Sequence, residues 1–212
     1  MNVPSHRRTL VIVGGVLALA AVGLAGCGSD PEAPEIEQIR DLEQSGEVEA
    51  LAERAVEGEP LEARMAVRSL GRLGRQAEPA LRETMRKGKP VVRAEAALVY
   101  PMVADREKAQ EPLKDLAHDD PEPHVRAAAV TALGHMRAME SMEALLEAVN
   151  DPNPLVRRRA ADAVERIMGR SYELHIDGPE EKRLKAIDGL RQDWLTDKDR
   201  IRQYFMRGQK KK

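Results

Sequence analysis

Pro123-His-Val-Arg-Ala-Ala-Ala-Val-Thr-Ala-Leu-Gly134 decides the fold, because the chain says it more than once. Pro60-Leu-Glu-Ala-Arg-Met-Ala-Val-Arg-Ser-Leu-Gly71, Pro90-Val-Val-Arg-Ala-Glu-Ala-Ala-Leu-Val-Tyr-Pro101 and Pro154-Leu-Val-Arg-Arg-Arg-Ala-Ala-Asp-Ala-Val-Glu165 align with it without a gap. Their prolines lie 30, 33 and 31 residues apart. One small column is Ala66, Ala96, Ala129 and Ala160. The next is Ser69, Val99, Ala132 and Ala163, followed by Leu70, Tyr100, Leu133 and Val164. Steps of three and four between columns mark one helix face. Its alanines let neighbouring helices approach closely. Proline opens each segment, where a helix needs no amide donor.

A second helix follows each of these. Leu51, Leu81, Leu113 and Leu145 recur at intervals of 30, 32 and 32. Each unit therefore reads as a helical hairpin with one apolar side per helix, which must stack on its neighbours to bury a core. Gly71, Gly74, Gly88 and Gly134 are expected as helix C-caps. Pro101 should close its helix, and Pro112 should delay or bend the one after it.

Composition agrees. Of 212 residues, 42% are hydrophobic but only 2% aromatic, so Ala, Leu, Val and Met must fill the core. Those residues favour packed helices over a β-sandwich. Cys27 is the only cysteine, which excludes an intramolecular disulfide and a cysteine metal cluster.

Val-Arg-x-x-Ala at Val92–Ala96, Val125–Ala129 and Val156–Ala160 resembles the HEAT repeat, in its short form grouped with phycobilisome-lyase-type repeats. The resemblance covers roughly residues 47–168. It implies an all-α solenoid of four to five helical hairpins over residues 35–169. It also implies that Arg93, Arg126 and Arg157 tie adjacent repeats together through the preceding aspartate. Ala63 replaces that arginine in the first unit, as suits an atypical end repeat. A ligand-binding arginine column is the competing reading.

Residues 170–212 leave the repeat. Asp177-Gly178-Pro179 reads as a loop, Leu184, Ile187, Leu190, Trp194 and Leu195 recur at helical spacing, and Ile201, Tyr204 and Phe205 suggest a short final helix. The expectation is a capping helix pair over 179–206, with Trp194, Tyr204 and Phe205 covering the open end of the stack. Residues 210–212 are a lysine tail.

The amino terminus carries an address. His6, Arg7 and Arg8 precede an uncharged, mostly apolar run over 9–29, the pattern of a secretory signal. Leu24-Ala25-Gly26-Cys27 resembles the bacterial lipobox, which implies cleavage between Gly26 and Cys27 and acylation of the Cys27 thiol. Residues 1–26 would then be signal peptide and 27–34 a lipidated tether. An uncleaved N-terminal anchor is the alternative. Either way, the later residues would face the periplasm or exterior of a bacterial cell envelope. Gly28 stands where an aspartate would imply inner-membrane retention, so the outer membrane is favoured. Without Arg7 and Arg8, 32 of the 34 basic residues remain against 36 acidic ones, a net side-chain charge of −4. Residues 30–62 hold twelve acids against Arg40 and Arg54, a segment repelled by anionic head groups or simply a solvated helix pair.

No catalytic set stands out. The histidines (His6, His118, His124, His135 and His175) form no HExxH or paired spacing. His118-Asp119-Asp120 could gather a cation, but it sits at a turn where aspartate is usual for capping. No metal, cofactor or small-molecule substrate is expected. An acidic body without a basic groove disfavours nucleic acid. Two function classes remain: a non-enzymatic protein-interaction scaffold, and an enzyme resembling the bilin lyases. One column singles itself out. Glu53, Glu83, Asp115 and Glu147 each follow a second-helix leucine by two. If those helices line a HEAT-like groove, the acids form a ladder for a partner's basic segment; otherwise they are an ordinary solvated face.

Overall fold

A proline begins each odd-numbered helix of the repeat array, and the layers follow from that start. The structure is a computed structural model that describes residues 34–209. The expected signal, the Cys27 lipidation site and most of the tether fall outside the described residues, as does the lysine tail. The elements are α1 (Pro34–Ser45), α2 (Val48–Glu57), α3 (Pro60–Leu73), α4 (Glu78–Lys87), α5 (Pro90–Val99), α6 (Arg106–Asp119), α7 (Pro123–Met136), α8 (Met142–Ala148), α9 (Pro154–Met168) and α10 (Glu180–Gln209). Short 3-10 turns precede α4, α6 and α8. No strand is present among the described residues. The fold is an all-α solenoid.

Odd helices pack in series, α1 on α3, α3 on α5, α5 on α7 and α7 on α9, and form one layer. The even helices form the other, with α2 on α4 and α6 on α8. Between the layers, the repeat columns are buried: Ala66, Ala96, Ala129 and Ala160 with Leu70, Tyr100, Leu133 and Val164 from the odd helices, and Leu51, Leu81, Leu113 and Leu145 from the even ones.

Two of the expected glycine caps serve another purpose. Gly71 lies inside α3 and Gly134 inside α7. A Cβ on Gly134 would sit 2.6 Å from the Cβ of Ala163, and one on Gly71 would overlap Val99. Both are helix-crossing points where the backbones need the space of a missing methyl. Gly74 and Gly88 do end α3 and α4. Pro112 lies within α6, which continues through it.

The carboxyl end departs further from expectation. The cap is one 30-residue helix, α10, instead of a pair. Residues 196–200 contain no glycine or proline to break it, and i,i+3 pairs of Asp197 with Arg200 and Asp199 with Arg202 bridge the supposed gap. Residues 170–179 run back along α9 without regular structure. Arg157 donates to the Ile176 carbonyl near the start of α9, while Arg170 at its end reaches Asp193 on α10. α10 therefore runs parallel to α9 and antiparallel to α8, where Glu143 meets Arg191 and Asn150 meets Arg183. Trp194 and Phe205 pack partly against the core, but Tyr204 is 74% exposed and covers nothing.

Candidate functional site

The arginine column joins the units. Arg93 places Nε and Nη2 on the two carboxylate oxygens of Asp120 at 2.7 and 2.8 Å, and Nη1 on the Gly88 carbonyl. Arg126 repeats this with Asp151 at 2.8 and 2.9 Å, and with the Asp120 and Pro121 carbonyls. The direction differs from the expected one. Each carboxylate comes from the following unit, and the preceding aspartate offers only its backbone oxygen. The reason is local: Asp120 also accepts the Glu122 amide and Asp151 the Asn153 amide, so each carboxylate caps its own turn and faces the unit before it. Burial pushes the Asp120 carboxyl up, but Arg93 and the Glu122 amide outweigh it and hold it below the usual range. Arg157 finds no aspartate and uses the Ile176, Asp151 and Pro152 carbonyls.

Sequence reading missed a fourth member. Arg183 is buried, donates Nη1 to the Gly178 carbonyl and Nε to Asn150 Oδ1. Arg93 also reaches a carbonyl five residues back, as do Arg126 and Arg157. Pro179 precedes Arg183 by four positions instead of three, which hid the match.

The even layer is broken at one place. α4 and α6 do not pack closely, although α2–α4 and α6–α8 do. The 3-10 turn Tyr100–Met102 touches both helices and stands between them. Tyr100 is fully buried; its hydroxyl donates to Glu78 at 2.7 Å and accepts from Arg82 at 2.9 and 3.1 Å, which pins α4 to the end of α5. A cleft of about 890 Å³ opens between α4 and α6. Its apolar surface includes Met85, Pro112 and Leu116. Most of its charges are already matched: Arg93 with Asp120, Arg82 with Glu78, Arg86 with Glu83, and Glu111 with Lys114. Asp115 lines the cleft with no cation within ion-pair distance among the described residues.

The four acids of the column all lie on even helices and reach the surface. They are not equivalent. Glu83 is bound by Arg86 and Lys87, whose hydrogen bonds hold its carboxyl at about 2. Asp115 faces the cleft. Glu147 is near enough to His118 to help raise that imidazole, after the larger effect of the Asp119 hydrogen bond at 2.6 Å. Glu53 lies on α2, away from the cleft. His118-Asp119-Asp120 does not converge, since Asp120 turns inward to Arg93. Among the described residues, no three His, Cys, Asp or Glu side chains are grouped to hold a metal ion, and no helix is long and apolar enough to cross a membrane.

The family model for HEAT repeats matches residues 48–123 and 110–204. No curated protein matches the chain. The chain belongs to the HEAT-repeat family.

Proposed function

We propose, with the HEAT framework as premise, that this chain is a membrane-anchored scaffold of the bacterial cell envelope. It binds another protein and performs no chemistry of its own. The observation that carries the reading is the α4–α6 cleft. It combines apolar side chains with an exposed carboxylate, Asp115, that makes no ion pair among the described residues. Solenoids bind partners along extended surfaces, and a break in one layer gives an inserted side chain a place to anchor. A partner segment with an apolar residue beside a lysine or arginine suits both features. The anchor is the acylated Cys27, which would hold the array at the outer membrane.

Site-specific photo-cross-linking in intact cells tests the docking. A cross-linker at Leu116 should capture a defined partner, and one at Leu98 on the odd layer should not. Asp115→Lys should reduce capture at Leu116 about tenfold, since reversing a charge turns attraction into repulsion. Equal capture from both faces, or capture indifferent to Asp115→Lys, would refute the assignment. For the anchor, Cys27→Ser should abolish lipid labelling and membrane retention. A serine variant that stays membrane-bound would make the apolar run itself the anchor.

A further inference from the structure

A second pocket, separate from the cleft and independent of the docking function, lies at the ends of α7 and α9, beside the second half of α10. It has a volume of about 450 Å³ and lies between Arg137, the last turn of α9 and the second half of α10. Its apolar lining is a buried floor of Ile167, Met168 and Ile201, with half-buried Phe205 and exposed Tyr204 at the side. Three arginines stand around it: Arg137, Arg166 and Arg200. Arg200 is paired with Asp197 at 3.0 Å. Neither Arg137 nor Arg166 has a carboxylate within ion-pair distance among the described residues. The pocket therefore combines apolar surface with uncompensated positive charge.

Arg137 is the telling residue. It occupies left-handed backbone, φ 50° and ψ 52°, at the end of α7. α9 ends in the same region with Gly169, for which that conformation is free of Cβ strain. A side chain other than glycine there costs about 1 kcal/mol or more. From that backbone the Arg137 guanidinium lies over the Phe205 ring, 4.5 Å from the centroid. The backbone is held from both sides: its amide donates to Gly134, and its carbonyl accepts from Arg106 at 3.0 Å.

We propose that this pocket binds an amphiphilic anion, an oxyanion head group on a hydrocarbon tail. The head sits between Arg137 and Arg166, whose forked donors match a phosphate or carboxylate. The tail lies along Tyr204 and Phe205, the accessible part of the apolar lining, where it removes apolar surface from water. A bare anion would leave that surface idle, and an uncharged amphiphile would leave the arginines unmatched.

The test follows the Nε–H NMR signals of Arg137 and Arg166 in the full chain, so that binding elsewhere does not enter the readout. Dodecyl phosphate, added below its micelle concentration, should shift both signals saturably. Inorganic phosphate should bind at least tenfold more weakly, and dodecyl maltoside should leave the signals in place. Arg166→Gln should weaken the dodecyl phosphate response of Arg137 about tenfold, the worth of one charged hydrogen bond. Arg137→Gly should weaken the Arg166 response similarly while the thermal midpoint holds or rises, since glycine relieves the backbone. Equal affinity for inorganic phosphate would show a simple anion site and overturn the proposal. So would an equal response to the maltoside, or unchanged binding in both folded variants.

Discussion

Arg126 makes four hydrogen bonds with one guanidinium, and two of them hold the carboxylate of Asp151, whose side chain is only 8% exposed. Arg126→Met would keep the aliphatic stem but leave that carboxylate without its cation, holding only the Asn153 amide, and two turn carbonyls without the Arg126 donor. The expected loss is about 3 kcal/mol of unfolding free energy, measured by urea denaturation. Arg157→Met removes only bonds to carbonyls and strands no buried charge, so about 1 kcal/mol is expected. Equal losses would mean that the aspartates contribute nothing. Three other carboxylates set the response to acid. Asp120 is depressed below its ordinary value after Arg93 and the Glu122 amide overcome burial. Glu43 is depressed chiefly by Arg72, and Glu78 by the Tyr100 hydroxyl. Unfolded Asp and Glu titrate near 3.9 and 4.3, so this stabilisation is complete above about pH 5 and falls away as pH drops through those values to the lower folded ones. Urea midpoints should be level down to about pH 5 and decline below it. Asp120→Asn should flatten that decline; an unchanged slope would clear Asp120 of the effect.

Two glycines inside helices carry opposite expectations at the scale of the element. Gly134 is the point where α7 meets α9, and an added methyl would press on Ala163. Gly134→Ala should cost about 1–3 kcal/mol through overpacking. Gly189 lies within α10 with nothing inside 4 Å of an added Cβ. Gly189→Ala should stabilise by about 0.5–1 kcal/mol, the ordinary preference for alanine in a helix. Thermal melts of the two variants should move in opposite directions. The odd helices were legible in the sequence because proline, arginine and alanine recur at fixed offsets, and each has a local reason to do so. The glycines were misread because a close crossing and a cap use the same residue, and only the neighbouring helix distinguishes them. The continuity of α10 was missed because Thr196-Asp-Lys-Asp-Arg200 looks like a polar break, although nothing in it stops a helix. Asp115 was visible as part of a column. Its distinction from Glu83 is local and was legible too: Glu83 has Arg86 and Lys87 three and four residues on, where Asp115 has His118 and Asp119.

Across the whole molecule, the two layers are not equally continuous. Odd helices pack without interruption from α1 to α9, whereas the even layer parts between α4 and α6. In a stacked array, stability is close to a sum of units and their interfaces, so opening should divide the molecule at its weakest interface. Native-state hydrogen exchange should show α1–α4 opening at lower free energy than α7–α9; uniform protection across the array would contradict this. The reversed final helix has a different consequence. A unit such as residues 120–150 presents Asp120 to the arginine before it and Arg126 to the aspartate after it, so a second copy placed beside it would find both partners ready. α10 offers no such continuation. It follows an irregular return strand of chain, runs parallel to α9, and gives Arg183 only a backward contact with Asn150. The array can therefore be lengthened from within, by duplication of a unit that carries both partners.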